Sequence, residues 1–239
     1  MDNIPKIIHM SWKHKQLLDS QAPLILNGMR RLVDMNPDWK ATVYTDDEVD
    51  VYLRDTLDES DYKLIQDIHI VAKTDIWRLL KLYFEGGLYI DIDRFCNVKL
   101  SDLATENIKW VLPTYMDTDF SHDFMMTAPE NPAFVKAIDL YLSRRKEGHD
   151  NIYFLGPQTY MHAVTMVLFG EMIDTNPGKE KFDEIYSVIS KAPFIKTYRE
   201  TPPLDTIIYK HDGSDALDLE SMKRKFYADE GLKHWTGSW

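Results

Sequence analysis

Between residues 72 and 93 a helical pattern runs directly into a short apolar strand that ends in two carboxylates. Ala72-Lys73-Thr74-Asp75-Ile76-Trp77-Arg78 and the residues up to Phe84 carry apolar side chains at helical spacing. Gly86-Gly87 stops that helix. Leu88-Tyr89-Ile90-Asp91-Ile92 then reads as a strand, followed by Asp93 and Arg94. In an extended strand Leu88, Ile90 and Ile92 share one face and point into a core. Tyr89, Asp91 and Asp93 share the other, with successive side chains about 7 Å apart. Two carboxylates at the end of a buried strand suit a hard divalent cation, whose remaining positions go to water and phosphate oxygens. Ligands gather at the carboxyl ends of strands in open α/β sheets. Alone, Asp-x-Asp is a weak motif, because two Asp also end strands as a solvated turn; the Gly-Gly turn and the apolar strand supply its context.

Asp75 and Arg78 lie three apart on the preceding helix and so share a face. They read either as a surface ion pair worth under about 1 kcal/mol or as a pair that grips hydroxyls of a polar ligand beside the cation. The second reading requires the helix start to fold back over the strand end.

Strands alternate with helices along the rest of the chain. Residues 5–12 and 40–45 read as strands, and residues 23–35 as a helix with Pro23 at its first position. Thr45 and Glu48 have capping-box spacing for a helix to about residue 53. Residues 58–67, 132–145 and 159–169 read as helices, the last after a Gly156-Pro157 turn. Residues 109–113, 123–128 and 206–210 read as strands, and 176–178 and 202–203 as loops. The alternation predicts an α/β fold with a largely parallel sheet, in one domain over residues 1–239.

Composition narrows the function. With 44% hydrophobic residues the chain can bury a sizeable core. It carries 28 Lys and Arg against 39 Asp and Glu, net −11, and no basic stripe, so nucleic acid is not an expected partner. A single cysteine, Cys96, excludes a disulfide framework and a Cys-rich zinc site. No apolar run approaches the ~20 residues of a membrane span, and Met-Asp-Asn-Ile-Pro-Lys has no secretory pattern. The expectation is a soluble chain with no membrane span.

These motifs together resemble a known family. Ile4-Pro5-Lys6-Ile7-Ile8-His9 with Trp12 resembles its opening strand, and Asn36-Pro37-Asp38-Trp39 with Tyr44-Thr45-Asp46 its second. Residues 72–78 and 86–93 resemble its signature block, and His234-Trp235-Thr236-Gly237-Ser238-Trp239 its closing motif. The family is the Asp-x-Asp sugar transferases, glycosyltransferase family 32, with yeast-type initiating mannosyltransferases and α-1,4-galactosyltransferases among its members. The resemblance implies a GT-A fold: a Rossmann-like mixed, largely parallel sheet flanked by helices. It implies transfer of a sugar from a UDP-sugar or GDP-mannose to a glycan, lipid or protein acceptor, with Mn2+ or Mg2+ and usually with retention. It assigns Trp12 to stacking on the base, and Asp75 and Arg78 to the donor sugar's hydroxyls. Asp91 goes to the ribose or to the metal through water, and Asp93 to the metal. His234, Ser238 and Trp239 would close over the diphosphate, with His234 a metal ligand. The chain is short for the family and lacks its membrane anchor, which suggests a cytoplasmic bacterial or viral enzyme.

A nucleoside diphosphate leaving group fits the cation, which neutralises the developing charge. The reacting sugar carbon becomes oxocarbenium-like. Asp123 and Asp119 are the carboxylates whose sequence position suits a nucleophile or charge stabiliser beside that carbon, and a front-face route without a nucleophile is equally open. Tyr-Ile-Asp-Ile-Asp also resembles the haloacid-dehalogenase phosphatases, but Arg94 follows where Thr or Val is usual, and the strand lies some 90 residues into the chain. A non-catalytic sugar-nucleotide-binding module is the other alternative; intact Asp75, Arg78, Asp91 and Asp93 argue against it.

Overall fold

The computed structural model describes residues 3–13, 23–92, 94, 98–115 and 118–199. Strand β1 (Ile7–Trp12), helix α1 (Pro23–Met35) and strand β2 (Lys40–Thr45) are followed by α2 (Asp46–Thr56), α3 (Glu59–Ile65) and α4 (Ile70–Glu85). Then come β3 (Gly87–Ile90), α5 (Leu100–Leu103), β4 (Trp110–Tyr115), β5 (Asp119–Phe120) and β6 (Phe124–Thr127). Helices α6 (Pro132–Lys146), α7 (Ile152–Leu155), α8 (Pro157–Phe169) and α9 (Lys179–Ile189) lead to β7 (Ile195–Tyr198). The expected strand at 206–210 lies outside the described residues.

The local signals act as anticipated. The Thr45 hydroxyl accepts from the Glu48 N–H while the Glu48 carboxylate accepts from the Thr45 N–H, closing a capping box on α2. Asn131 caps α6, with Pro132 in its first turn. Gly86-Gly87 does more than stop α4. Both residues have positive φ, +65° and +89°, and a Cβ on Gly87 would sit 2.5 Å from the Ile7 carbonyl oxygen. Only glycine lets β3 enter the sheet this close to β1.

The sheet runs β2-β1-β3-β6-β4-β5, with β7 also paired to β4. Strands β2, β1 and β3 are mutually parallel, β6 is antiparallel to both β3 and β4, and β7 is parallel to β4. Alternate residues face two cores. Tyr89, Trp110, Leu112 and Met125 join residues of α2, α4, α6, α8 and α9 on one face. Leu88, Ile90, Val111, Phe124 and Met126 join residues of α1 and α5 on the other. This double cover explains why Gly87 to Ile90 are all buried.

One expectation needs correction. The strand was expected to continue to Ile92, but it ends at Ile90, because the Arg94 N–H turns back to the Asp91 carbonyl oxygen at 2.8 Å. Strand alternation therefore does not extend past Ile90, and Asp93 lies outside the described residues. Sequence periodicity also passed over five elements, among them the single-turn helices α5 and α7. α9 buries Phe182, Ile185 and Ile189 at helical spacing, β7 lies behind Pro193, and β5 is two residues long.

Candidate active site

The sheet changes direction between β3 and β6. There the Asp91 N–H donates to the Asp123 carbonyl oxygen at 2.9 Å, so the carboxyl end of β3 and the start of β6 are tied together. Helix α4 lies over this point. Its Asp75 and Arg78 side chains are almost fully buried, with Asp75 Oδ1 3.0 Å from Arg78 Nη2. The Arg78 guanidinium lies over the Tyr89 ring at 4.3 Å, and its Nη1 donates to the His122 carbonyl oxygen at 2.7 Å. The same nitrogen is 3.6 Å from Asp91 Oδ1. The fold-back that the functional reading of Asp75 and Arg78 requires is thus observed.

Asp91 itself is half-exposed, at 36% for its side chain, and accepts a hydrogen bond from the Tyr89 hydroxyl. Asp123 is braced from two sides. Arg94 Nε and Nη2 both donate to its Oδ2, and the Ser121 hydroxyl donates to its Oδ1. Asp119 is buried and accepts from the Tyr153 hydroxyl at 3.3 Å. Asp75, Arg78, Asp91, Asp119 and Asp123 line one cleft of about 280 Å³, which His122, Tyr153 and Pro157 also border.

Burial sets the protonation of this cleft. It pushes Asp75 up to about 7, against the pull of Arg78 and with a further push from Asp91. It pushes Asp119 up to about 7 as well, with Asp123 adding to the rise and the Tyr153 hydroxyl opposing it. His122 falls well below the usual imidazole range, through burial first and the Arg78 cation second, and so is neutral. Gly156, between α7 and α8, packs directly on this group. A Cβ there would lie 2.3 Å from Asp75 Oδ2 and 3.3 Å from His122 Cε1.

Five of the expected site residues therefore meet in one place. Trp12 does not line this cleft. It ends β1, half-buried against the core that β1 shares with α1 and α5. Carrying the β1–β3 register onward puts Ser11 level with Asp91 and Trp12 level with Ile92, so Trp12 lies at the same end of the sheet. Asp93, His234, Ser238 and Trp239 lie outside the described residues, among which no cluster of three metal-binding side chains occurs. Sequence reasoning missed His122, Tyr153 and Gly156. His122 stands directly before Asp123, and Gly156 had been read only as a turn.

Residues 24–110 match the family described as glycosyltransferase sugar-binding region containing DXD motif. Mannosyl phosphorylinositol ceramide synthase CSH1 of Saccharomyces cerevisiae is 28% identical over 142 residues, which cover 56% of this chain and 34% of that protein. Inositol phosphoceramide mannosyltransferase 1 of Schizosaccharomyces pombe is 24% identical over 143 residues, covering 58% of this chain and 43% of that protein. The matches thus span well under half the length of these curated relatives. Among solved structures, PaToxG glycosyltransferase superposes with a TM-score of 0.55 at 19% identity, covering 96% of this chain and 88% of that one. At that identity the likeness is one of fold, and it bears out a GT-A-like sheet flanked by helices. Residues 24–110, which include α4, β3 and the Asp91 strand end, thus match the Asp-x-Asp sugar-binding region of glycosyltransferases, the family that the sequence motifs resemble.

Proposed function

We propose that this chain is a hexosyltransferase that moves a sugar from a nucleotide-sugar donor to a hydroxyl of a glycan, lipid or protein acceptor, with a divalent cation and with retention, in a single GT-A domain over residues 1–239. The carrying observation is the buried Asp75–Arg78 pair, opening on the same cleft as the half-exposed Asp91 carboxylate. A buried ion pair is costly to maintain for stability alone, and Arg78 presents a rigid fork of donors to the cleft. The names of the relatives point to mannose as the sugar and to an inositol-bearing lipid as acceptor. GDP-mannose is therefore the first donor to test and UDP-sugars the second.

Asp75 and Arg78 hold the donor sugar's hydroxyls. The cleft lies at the small end of ligand sites. It suits a hexose, with the nucleotide extending along the sheet end toward Trp12. Asp91 is an oxygen donor of the kind that Mn2+ and Mg2+ take, and Asp93 and His234 complete the set that the family resemblance assigns. Such an ion, when bound, neutralises the charge that develops on the diphosphate. Of the two carboxylates expected beside the reacting carbon, Asp123 is the one braced by a cation, Arg94. Asp119 is held toward its neutral form by burial, which makes it a hydrogen-bonding group rather than a fixed anion.

A thermal-shift series with GDP-mannose and UDP-sugars in the presence of Mn2+ tests this reading, since a ligand that binds the native state raises the melting temperature. A shift with one donor, accompanied by release of its nucleoside diphosphate, is expected. Absence of both with every donor would overturn it.

A further inference from the structure

Two buried polar atoms, on residues that line the cleft, have no hydrogen-bond partner among the described residues: Asp119 Oδ1 and His122 Nε2. Both side chains are more than nine-tenths buried, at 5% and 8% exposure, and both line the cleft. Buried polar atoms are nearly always paired with protein, ordered water or a ligand. Their chemistry is defined by their neighbours. His122 Nδ1 faces the Arg78 Nη1 donor at 3.3 Å, so Nδ1 accepts and Nε2 carries the hydrogen. Asp119 Oδ2 accepts from the Tyr153 hydroxyl at 3.3 Å, which leaves Oδ1 for another group. Tyr153 comes from α7 and is 46% exposed at the cleft, so part of its ring is open to a ligand.

A donor, a carboxyl oxygen and an open aromatic ring in one cleft match a hydroxylated ring. Each hydroxyl both donates and accepts, and the ring's C–H face stacks on an aromatic side chain. The cleft's cation, Arg78, is already engaged by Asp75, Asp91 and the His122 carbonyl oxygen. Its charge is thus compensated within the protein and does not call for an anionic ligand.

We propose that Asp119, His122 and Tyr153 form a second subsite that binds the hydroxyl face of a neutral polyol, a sugar or cyclitol ring. As an acceptor site it rests on the transferase reading. As a polyol site it stands on the geometry alone. His122 is bonded to Arg78, whereas Asp119 is bonded to Tyr153, so substitution at Asp119 or Tyr153 is what separates the subsite from the donor pair.

Saturation-transfer NMR with methyl α-D-mannopyranoside and with myo-inositol, each at about 20 mM so that millimolar binding is seen, tests it on the full chain. The wild-type protein is expected to transfer saturation to at least one probe. Tyr153→Ala is expected to weaken that signal at least fivefold, and Asp119→Leu, similar in size but unable to hydrogen-bond, to abolish it. Tyr153 is half-exposed, so its variant keeps the test decisive should Asp119→Leu fold poorly. No signal with the wild-type protein, or an unchanged signal in Tyr153→Ala, would overturn the proposal. Release of nucleoside diphosphate from the donor into water, measured without probe, reads the transferase proposal separately. Probe binding without donor cleavage would sink that reading and leave the polyol site; donor cleavage without probe binding would sink the subsite alone.

Discussion

Asp75 Oδ1 lies 3.0 Å from Arg78 Nη2, one turn along the same helix, with both side chains at or below 7% exposure. A pair this buried is poorly screened, and removing one partner leaves an uncompensated group in the protein interior. Asp75→Ala is therefore expected to cost about 3–5 kcal/mol of stability. Arg78→Lys keeps the charge but loses the fork that spans Asp75, Asp91 and the His122 carbonyl oxygen. Its donor turnover should fall by about two orders of magnitude, a loss of near 3 kcal/mol in transition-state stabilisation. Wild-type turnover in Arg78→Lys would reduce the pair to a structural brace.

Gly156 makes a different demand. A methyl group there would collide with the Asp75 carboxylate at 2.3 Å. Gly156→Ala should lose about 1–3 kcal/mol through overpacking and, by displacing Asp75, most of its donor turnover. Gly148→Ala is the control. Its φ of +87° makes alanine strained, but a Cβ there meets nothing within 4 Å, so stability should drop by about 1 kcal/mol with turnover kept. Equal turnover in the two variants, measured beside their denaturation midpoints, would refute the contact.

Asp119 gives a pH signature. Its carboxyl is raised from 3.8 to about 7 in the folded protein. Between those values the folded state keeps a proton that the unfolded chain has released, so this group's contribution to stability falls as pH rises through that window. Asp119→Asn mimics the protonated form and removes the dependence. The variant should gain on the wild type between pH 5 and pH 8 by up to about 3 kcal/mol. Urea unfolding at the two pH values reads the gain; a constant difference would show that Asp119 is ionised throughout.

Much of this was legible because it is local. The capping box at Thr45 and Glu48, the Gly86-Gly87 stop and the proline starts of α1 and α6 each arise from a few neighbouring residues, whereas Pro157, read as part of a turn, is the first residue of α8. The shared face of Asp75 and Arg78 is local too. Their approach to Asp91 is not, since it depends on α4 packing across a sheet whose order only long-range pairing sets. The same holds for Arg94 against Asp123, 29 residues away, and for Tyr153 against Asp119, 34 away. In the sequence Arg94 served only to argue against a phosphatase, and Gly156 carried no hint that it touches Asp75. The helix at 179–189 was missed, although Phe182, Ile185 and Ile189 have helical spacing. β5 was not readable, because two residues carry no periodicity.

The most direct test is release of nucleoside diphosphate from GDP-mannose and UDP-sugars, with Mn2+ or Mg2+ and in excess chelator, by the wild-type protein and by Asp93→Ala. Turnover of one donor is predicted with metal. It should vanish in chelator and in Asp93→Ala, whose melting temperature should match that of the wild type. Full turnover in chelator, or in Asp93→Ala, would contradict metal-assisted sugar transfer at the carboxyl end of β3.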